Sequence, residues 1–175
     1  MSRFPTRTDI SPVYSVIVFW SYSYSLLVLM FNLPSWMLMV PLGEILGYFS
    51  YVLVLAFLDT LLILALMLGV TFLLPRAWFR DDFVASGSMT AGLLFFWITI
   101  VQLAFGFLMT LPVVQFLVFI LAAFISLAVA VVIVRRMPAV RKFVLWLASS
   151  TSIFIYLYGF LTAVSVVVVL IRNLF

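Results

Sequence analysis

The sequence predicts an all-α integral membrane protein, a compact bundle of about five transmembrane helices with its N-terminus inside and its C-terminus outside. Three observations predict it. Of the 175 residues, 68% are hydrophobic and only 8% are charged. The apolar residues fall in long unbroken runs of helix-crossing length. The basic residues collect in the segments between alternate runs.

The first observation sets the solvent. A soluble domain carries roughly 25% charged residues, whereas this chain has 9 basic and 5 acidic side chains in all. That number cannot coat a water-exposed globule of this size, and the mean hydropathy is +1.41. Lipid can solvate such an exterior. One helical crossing takes about 20 residues, so the length allows five or six crossings and leaves no room for a soluble catalytic domain. A transmembrane barrel alternates apolar and polar residues over about 10 positions, and no such alternation is present.

The elements follow in order. Residues 1–12 form a polar arm with Arg3, Arg7 and Asp9. No A-x-A-like cleavage site ends the apolar run after it, so an uncleaved first helix is expected rather than a signal peptide. Residues 13–175 are read as a single five-helix domain. The first helix covers about 13–33. Its middle, Ser21-Tyr22-Ser23-Tyr24-Ser25, places polar groups all round the helix. Pro34 is expected to end or kink it, and Ser35–Val40, with Trp36, reads as an interfacial or bent extension.

Gly43 and Gly47 have the G-x-x-x-G spacing that permits close packing, although a turn explains it nearly as well. The second helix covers about 46–74. It contains Asp59, an acid inside an otherwise apolar run, and Pro75 closes it. Arg76, Trp78, Arg80, Asp81 and Asp82 follow in a loop where the two acids are expected to be solvated. Ser86-Gly87-Ser88 reads as a turn. The stretch 89–134 is too long for one crossing and divides at Thr110-Leu111-Pro112, into helices of about 89–109 and 113–134. Arg135-Arg136-Met137-Pro138 ends the fourth. The fifth covers about 143–171 after Arg141 and Lys142, with Trp146 as an interfacial residue and a weakly polar stretch at Ser149–Ser152.

This order puts Arg3, Arg7, Arg76, Arg80, Arg135, Arg136, Arg141 and Lys142 on one side and leaves Arg172 on the other. Lysine and arginine are enriched in short cytoplasmic loops. A missed or additional crossing would spoil the division, so the charge pattern supports both the orientation and the helix count. The net charge of +4 follows from this topology and is not read as a nucleic-acid signal. The expected surroundings are a lipid bilayer and other integral membrane subunits, in a multi-pass protein of a bacterial inner membrane or an organellar inner membrane.

Catalytic chemistry is not legible. There is no cysteine and no histidine, which removes thiolate chemistry, the usual general base and the commonest metal ligands. No nucleophile elbow, P-loop, zincin helix or dinucleotide fingerprint occurs, and no clear inverted repeat of the kind many transporters have. No catalytic or metal-binding residue and no cofactor is predicted; bound lipid fits the aromatic, apolar surface. The layout resembles the five-helix anchor domains of membrane enzymes that modify lipid head groups, and no motif carries that resemblance.

Two residue groups remain. Helical rise puts Asp59, Gln102, Tyr22, Tyr24 and Tyr156 at similar depth near the middle of the bilayer. Three roles fit this intramembrane polar cluster: hydrogen-bonded glue between helices, a ligand, ion or proton site, and a contact with a partner subunit. The sequence favours the first. Ala122, Ser126 and Ala130 recur at intervals of four on the fourth helix, and Gly159 and Ala163 on the fifth. Small residues on a shared face allow close approach, so these two faces are expected to pack. The function expected is a non-catalytic accessory subunit that stabilises a membrane complex or frames a lipid or cofactor site. The alternative is a small transporter or channel, proton-coupled through Asp59.

Overall fold

The computed structural model describes residues 6–73 and 82–174, and every regular element among them is helical. Arg3, Pro75, Arg76, Trp78, Arg80 and Asp81 lie outside the described residues. Seven helices are found there: α1 (Arg7–Met39), α2 (Leu42–Leu73), α3 (Phe83–Leu103), the single turn α4 (Phe105–Leu108), α5 (Val113–Arg136), α6 (Pro138–Ser150) and α7 (Ile153–Leu174). They provide five segments long and apolar enough to cross a membrane, α6 and α7 together forming the fifth. The chain is therefore suited to a multi-pass membrane protein.

α1 occupies the centre. It packs against α2, α3, α6 and α7, while α5 packs on the outside against α3 and α6. Its N-terminal half supplies the core, where Val13, Val16 and Ile17 meet Ile63 and Met67 of α2, Phe83, Ala91 and Phe95 of α3, Val131 of α5 and Ala148 of α6. Branched, small and aromatic side chains fill this layer, and beside it on α3 the hydroxyls of Ser86 and Ser88 are buried without a hydrogen-bond partner among the described residues. A second core layer joins Val18 and Tyr22 of α1 to Leu53 and Ala56 of α2 and Tyr158 of α7.

Several helix ends differ from the expected ones. α1 starts at Arg7 rather than residue 13, because Thr6 and Asp9 cap it: the Thr6 backbone N–H donates to the Asp9 carboxylate at 3.0 Å. It runs through Pro34, so Ser35–Met39 extend the helix. Ser86-Gly87-Ser88 is not a turn but a buried part of α3. The three small residues let α3 approach α1 closely, and a Cβ on Gly87 would stand 3.1 Å from Val13 Cγ2. α3 thus begins at Phe83, six residues before the expected Met89.

The fifth crossing is interrupted at Thr151-Ser152. Hydroxyl groups bond the carbonyls there: Thr151 Oγ1 donates to Leu147 O at 3.0 Å, which also accepts the Thr151 backbone N–H at 2.9 Å, Ser149 Oγ donates to Trp146 O at 2.8 Å, and Ser15 Oγ of α1 donates to Ala148 O at 2.9 Å. Such side-chain bonds compete with the helical ladder and bend helices in apolar surroundings.

The ends of the bundle are chemically different. At one end Asp82 binds Arg141 through Nε at 2.6 Å and Nη2 at 3.3 Å, which ties the second-to-third connection to the fourth-to-fifth. Asp82 is therefore ion-paired rather than simply solvated. At the other end Arg172 lies over Gly47, and Asn173 Nδ2 donates to Tyr51 Oη at 2.7 Å. This places the C-terminal end of α7 beside the α1–α2 connection.

Candidate functional site

Three helices build the polar groove. α1 and α2 run side by side over 33 and 32 residues, whereas α3 has 21. Tyr24 Oη donates to Gln102 Oε1, so the last turn of α3 stands level with the middle of α1. Beyond that point α1 continues from Ser25 to Met39, about 22 Å at 1.5 Å per residue, without α3 beside it. The α1–α2 seam is uncovered there, and a groove follows.

The groove comprises two cavities of about 330 and 230 Å³ that share Tyr24, Ser25, Asp59 and Gln102. Ser21 lines the first, and Asn32 and Trp36 line the second. Ser21, Ser25 and Asn32 are spaced by four and seven residues, which keeps them on one face of α1. Asn32 Nδ2 donates within α1 to Val28 O at 2.8 Å, whereas Ser21 Oγ donates across to Ala56 O of α2 at 3.4 Å. Asp59 stands where the cavities meet. It is exposed, and among the described residues no hydrogen bond or ion pair engages its carboxylate. This geometry can accept a donor or a cation from outside the chain.

The structure brings together Asp59, Gln102 and Tyr24 and separates Tyr22 and Tyr156 from them. The reason is rotation: residues two apart on a helix differ by about 200°. Tyr22 accordingly turns away from Tyr24 into the α1–α2–α7 core. It is 1% exposed, stacks on Tyr158 with centroids 4.5 Å apart, and meets Thr162 Oγ1 at 2.5 Å. Tyr156 is turned away from Tyr158 in the same manner and is 80% exposed on the exterior. Gln102 lies one residue from the end of α3, and its bond to Tyr24 sets it level with the middle of α1.

The two small-residue faces are not opposed as expected. Ser126 accepts a hydrogen bond from Trp97 Nε1 of α3 at 2.8 Å, and Ala130 is buried, so this side of α5 serves the α3 contact. Ala122, farther along the helix, is exposed. Gly159 and Ala163 are exposed on α7, and a Cβ on Gly159 would touch nothing within 4 Å. α7 buries Tyr158, Thr162 and Ser165 instead, a face that supplies both aromatic stacking and hydroxyl donors.

Sequence reasoning missed Ser21, Ser25 and Asn32 as one row. The signal was their helical spacing, hidden by reading the Ser-Tyr repeat as a belt around α1. It also missed Trp97 as the partner of Ser126, for which nothing in the sequence singles out one of the five tryptophans.

The comparisons decide no family. No family model, no curated protein and no solved structure matches this chain.

Proposed function

We propose that the chain is a non-catalytic accessory subunit of a larger membrane complex, and that the α1–α2 groove receives a transmembrane segment of a partner. The observation that carries this reading is Asp59, an exposed carboxyl in the middle of α2 without an internal partner. Hydrocarbon offers it no hydrogen bond, and a centrally placed Asp costs roughly 2.5 to 3.5 kcal/mol on insertion scales. A polar or cationic side chain from a neighbouring subunit would offset that cost. The groove opens where α3 ends, which leaves lateral access for a helix. In this proposal the N-terminus and the Arg135–Lys142 region face the side of insertion and the C-terminus faces the opposite side, following the distribution of basic residues.

A second reading has one specific observation in its favour. The polar row from Ser21 to Asn32 extends over eleven residues, about 16 Å, and Asp59 lies beside it. A small proton-coupled transporter would use such a row. Asp59→Asn and Asp59→Leu, compared for assembly by gentle extraction and for flux in liposomes, separate the two readings. The accessory reading expects Asn to retain the complex and Leu to release the partner. The transport reading expects both to abolish flux while assembly survives. An isolated monomer with full activity would overturn the accessory assignment.

A further inference from the structure

Away from the Asp59 groove, α1, α3 and α6 border an apolar cavity of about 450 Å³. It shares no lining residue with the groove, and no residue of α2 lines it. Gly92 makes room for it. α3 carries no side chain there, and a Cβ at that position would stand 3.7 Å from Trp20 Nε1 of α1. Each of the three helices sets an aromatic ring in the wall, Trp20, Phe96 and Phe143, and these residues are 39%, 54% and 59% exposed. Phe96 lies 13 residues into α3, about 20 Å, so the aromatic side of the cavity faces hydrocarbon.

Two donors beside this cavity lack acceptors. Ser88 lines it and is 3% exposed, and its hydroxyl is buried without a hydrogen bond among the described residues. A hydroxyl inside a helix ordinarily returns to a carbonyl one turn back. Thr90 and Thr99 of the same helix do so, donating to Ser86 O and Phe95 O at 2.8 Å, and Ser88 does not. Trp20 Nε1 likewise meets no acceptor among the described residues; the indole packs edge-on against Phe19. Gly92 beside it is near the middle of the 21-residue α3, where hydrocarbon offers the N–H nothing.

The walls select the ligand. No charged side chain lines the cavity, so a charged head group would lose its hydration without compensation. The two donors call for acceptors, and the three rings suit a flat ring, which can meet them face or edge. The volume falls within the roughly 300–1,000 Å³ of small-molecule sites. We propose that this cavity binds a neutral, lipid-soluble ring bearing carbonyl oxygens, a quinone-type head group. Trp20 Nε1 and the Ser88 hydroxyl donate to its carbonyls, and its apolar tail leaves through the aromatic side into lipid. An acyl chain alone would fill the space and leave both donors unpaired.

The test is native mass spectrometry of the full chain in mild detergent, titrated separately with decylubiquinone and with decylbenzene, which has the same tail and no carbonyl. The quinone is expected to bind about tenfold more tightly, as two hydrogen bonds in an apolar site allow. Trp20→Phe keeps a ring and loses the N–H, and Ser88→Ala loses only the hydroxyl. Each should weaken the quinone about three- to tenfold and change decylbenzene less than about twofold. Ser88→Ala should also leave thermal stability unchanged or raised, because it removes an unpaired buried group; a purely structural serine would give the reverse. Gly92→Leu occupies the cavity and should weaken both ligands about tenfold or more. Equal binding of the two ligands would overturn the proposal and leave an apolar space filled by any chain. Unchanged quinone affinity in Trp20→Phe, in Ser88→Ala or in Gly92→Leu would overturn it as well, since the quinone would then sit elsewhere or without these donors.

Discussion

On a helix, the rotation between neighbouring positions decides which side chains share chemistry, and Tyr22 and Tyr24 illustrate it within one short repeat. Tyr24 joins Gln102 at the groove, while Tyr22 is sealed in the core between Tyr158 and Thr162. The consequences of substitution should differ accordingly. Tyr22→Phe keeps the ring stack and loses one buried hydroxyl contact, worth roughly 0.5 to 1 kcal/mol in a membrane protein. Tyr22→Ala also empties a ring-sized space and should cost about 3 to 5 kcal/mol. Tyr156→Ala, at an exposed position, should change stability by less than about 0.5 kcal/mol. Equilibrium unfolding in mixed micelles checks all three; a Tyr156→Ala loss as large as that of Tyr22→Ala would contradict the separation. At Asp59 the same scale predicts a different phenotype, loss of the proposed partner in the Leu variant with the chain itself intact, because its carboxyl makes no hydrogen bond or ion pair among the described residues.

Helix contacts in this protein are made by small residues as much as by apolar bulk, and that is where sequence periodicity was least informative. The number of crossings and their order were readable, because unbroken apolar length is a strong signal. The contact faces were not. Ser86-Gly87-Ser88 has the composition of a turn, yet within lipid the same residues serve as a place where α3 can touch α1. Conversely, Gly159 and Ala163 have contact spacing and face outward, because Tyr158, Thr162 and Ser165 provide the stacking and hydroxyl contacts that α7 uses. Composition alone could not separate these two cases, since both offer a smooth helix surface. Substitution can. Gly87→Ala would press its Cβ to 3.1 Å from Val13 Cγ2 and 3.3 Å from Val13 Cγ1, and Gly87→Leu has no space to enter without parting α1 from α3. The expected order of thermal stability is wild type, then Gly87→Ala, then Gly87→Leu, with a loss of about 1 to 3 kcal/mol or more for the last. Gly159→Ala should be neutral or slightly stabilising, since it adds helix propensity and meets nothing. A stable Gly87→Leu variant would show that this approach does not hold α1 and α3 together.

At the scale of the whole molecule, two short crossings are packed beside three long ones. α3 and α5 have 21 and 24 residues, about 32 and 36 Å, against about 50 and 48 Å for α1 and α2. α3, α5 and α6 meet at the charged end through the Asp82–Arg141 ion pair and the packing of Val134, Ala85 and Val144, and Val13 of α1 packs beside Phe83 and Gly87 of α3 there. The difference in length is therefore expressed at the other end, where it opens the groove at Asp59. The arrangement also carries a topological consequence. An odd number of crossings puts Thr6 on the side of the Arg135–Lys142 connection and Leu174 on the side of the α1–α2 connection. The chain contains no cysteine, so single cysteines can report each position without a background. Thr6→Cys and Met137→Cys should react with a membrane-impermeant thiol reagent from one side, the inside if the basic residues set orientation. Leu42→Cys and Leu174→Cys should react from the other. The Met137 and Leu174 sites are exposed on the folded chain, at 51% and 73%, so a failure to label would not come from burial within the bundle. Labelling of Thr6→Cys and Leu174→Cys from the same side would refute five crossings. Labelling from opposite sides with Thr6 outside would leave the bundle intact and reverse its orientation, and the basic connection would then face away from the side of insertion.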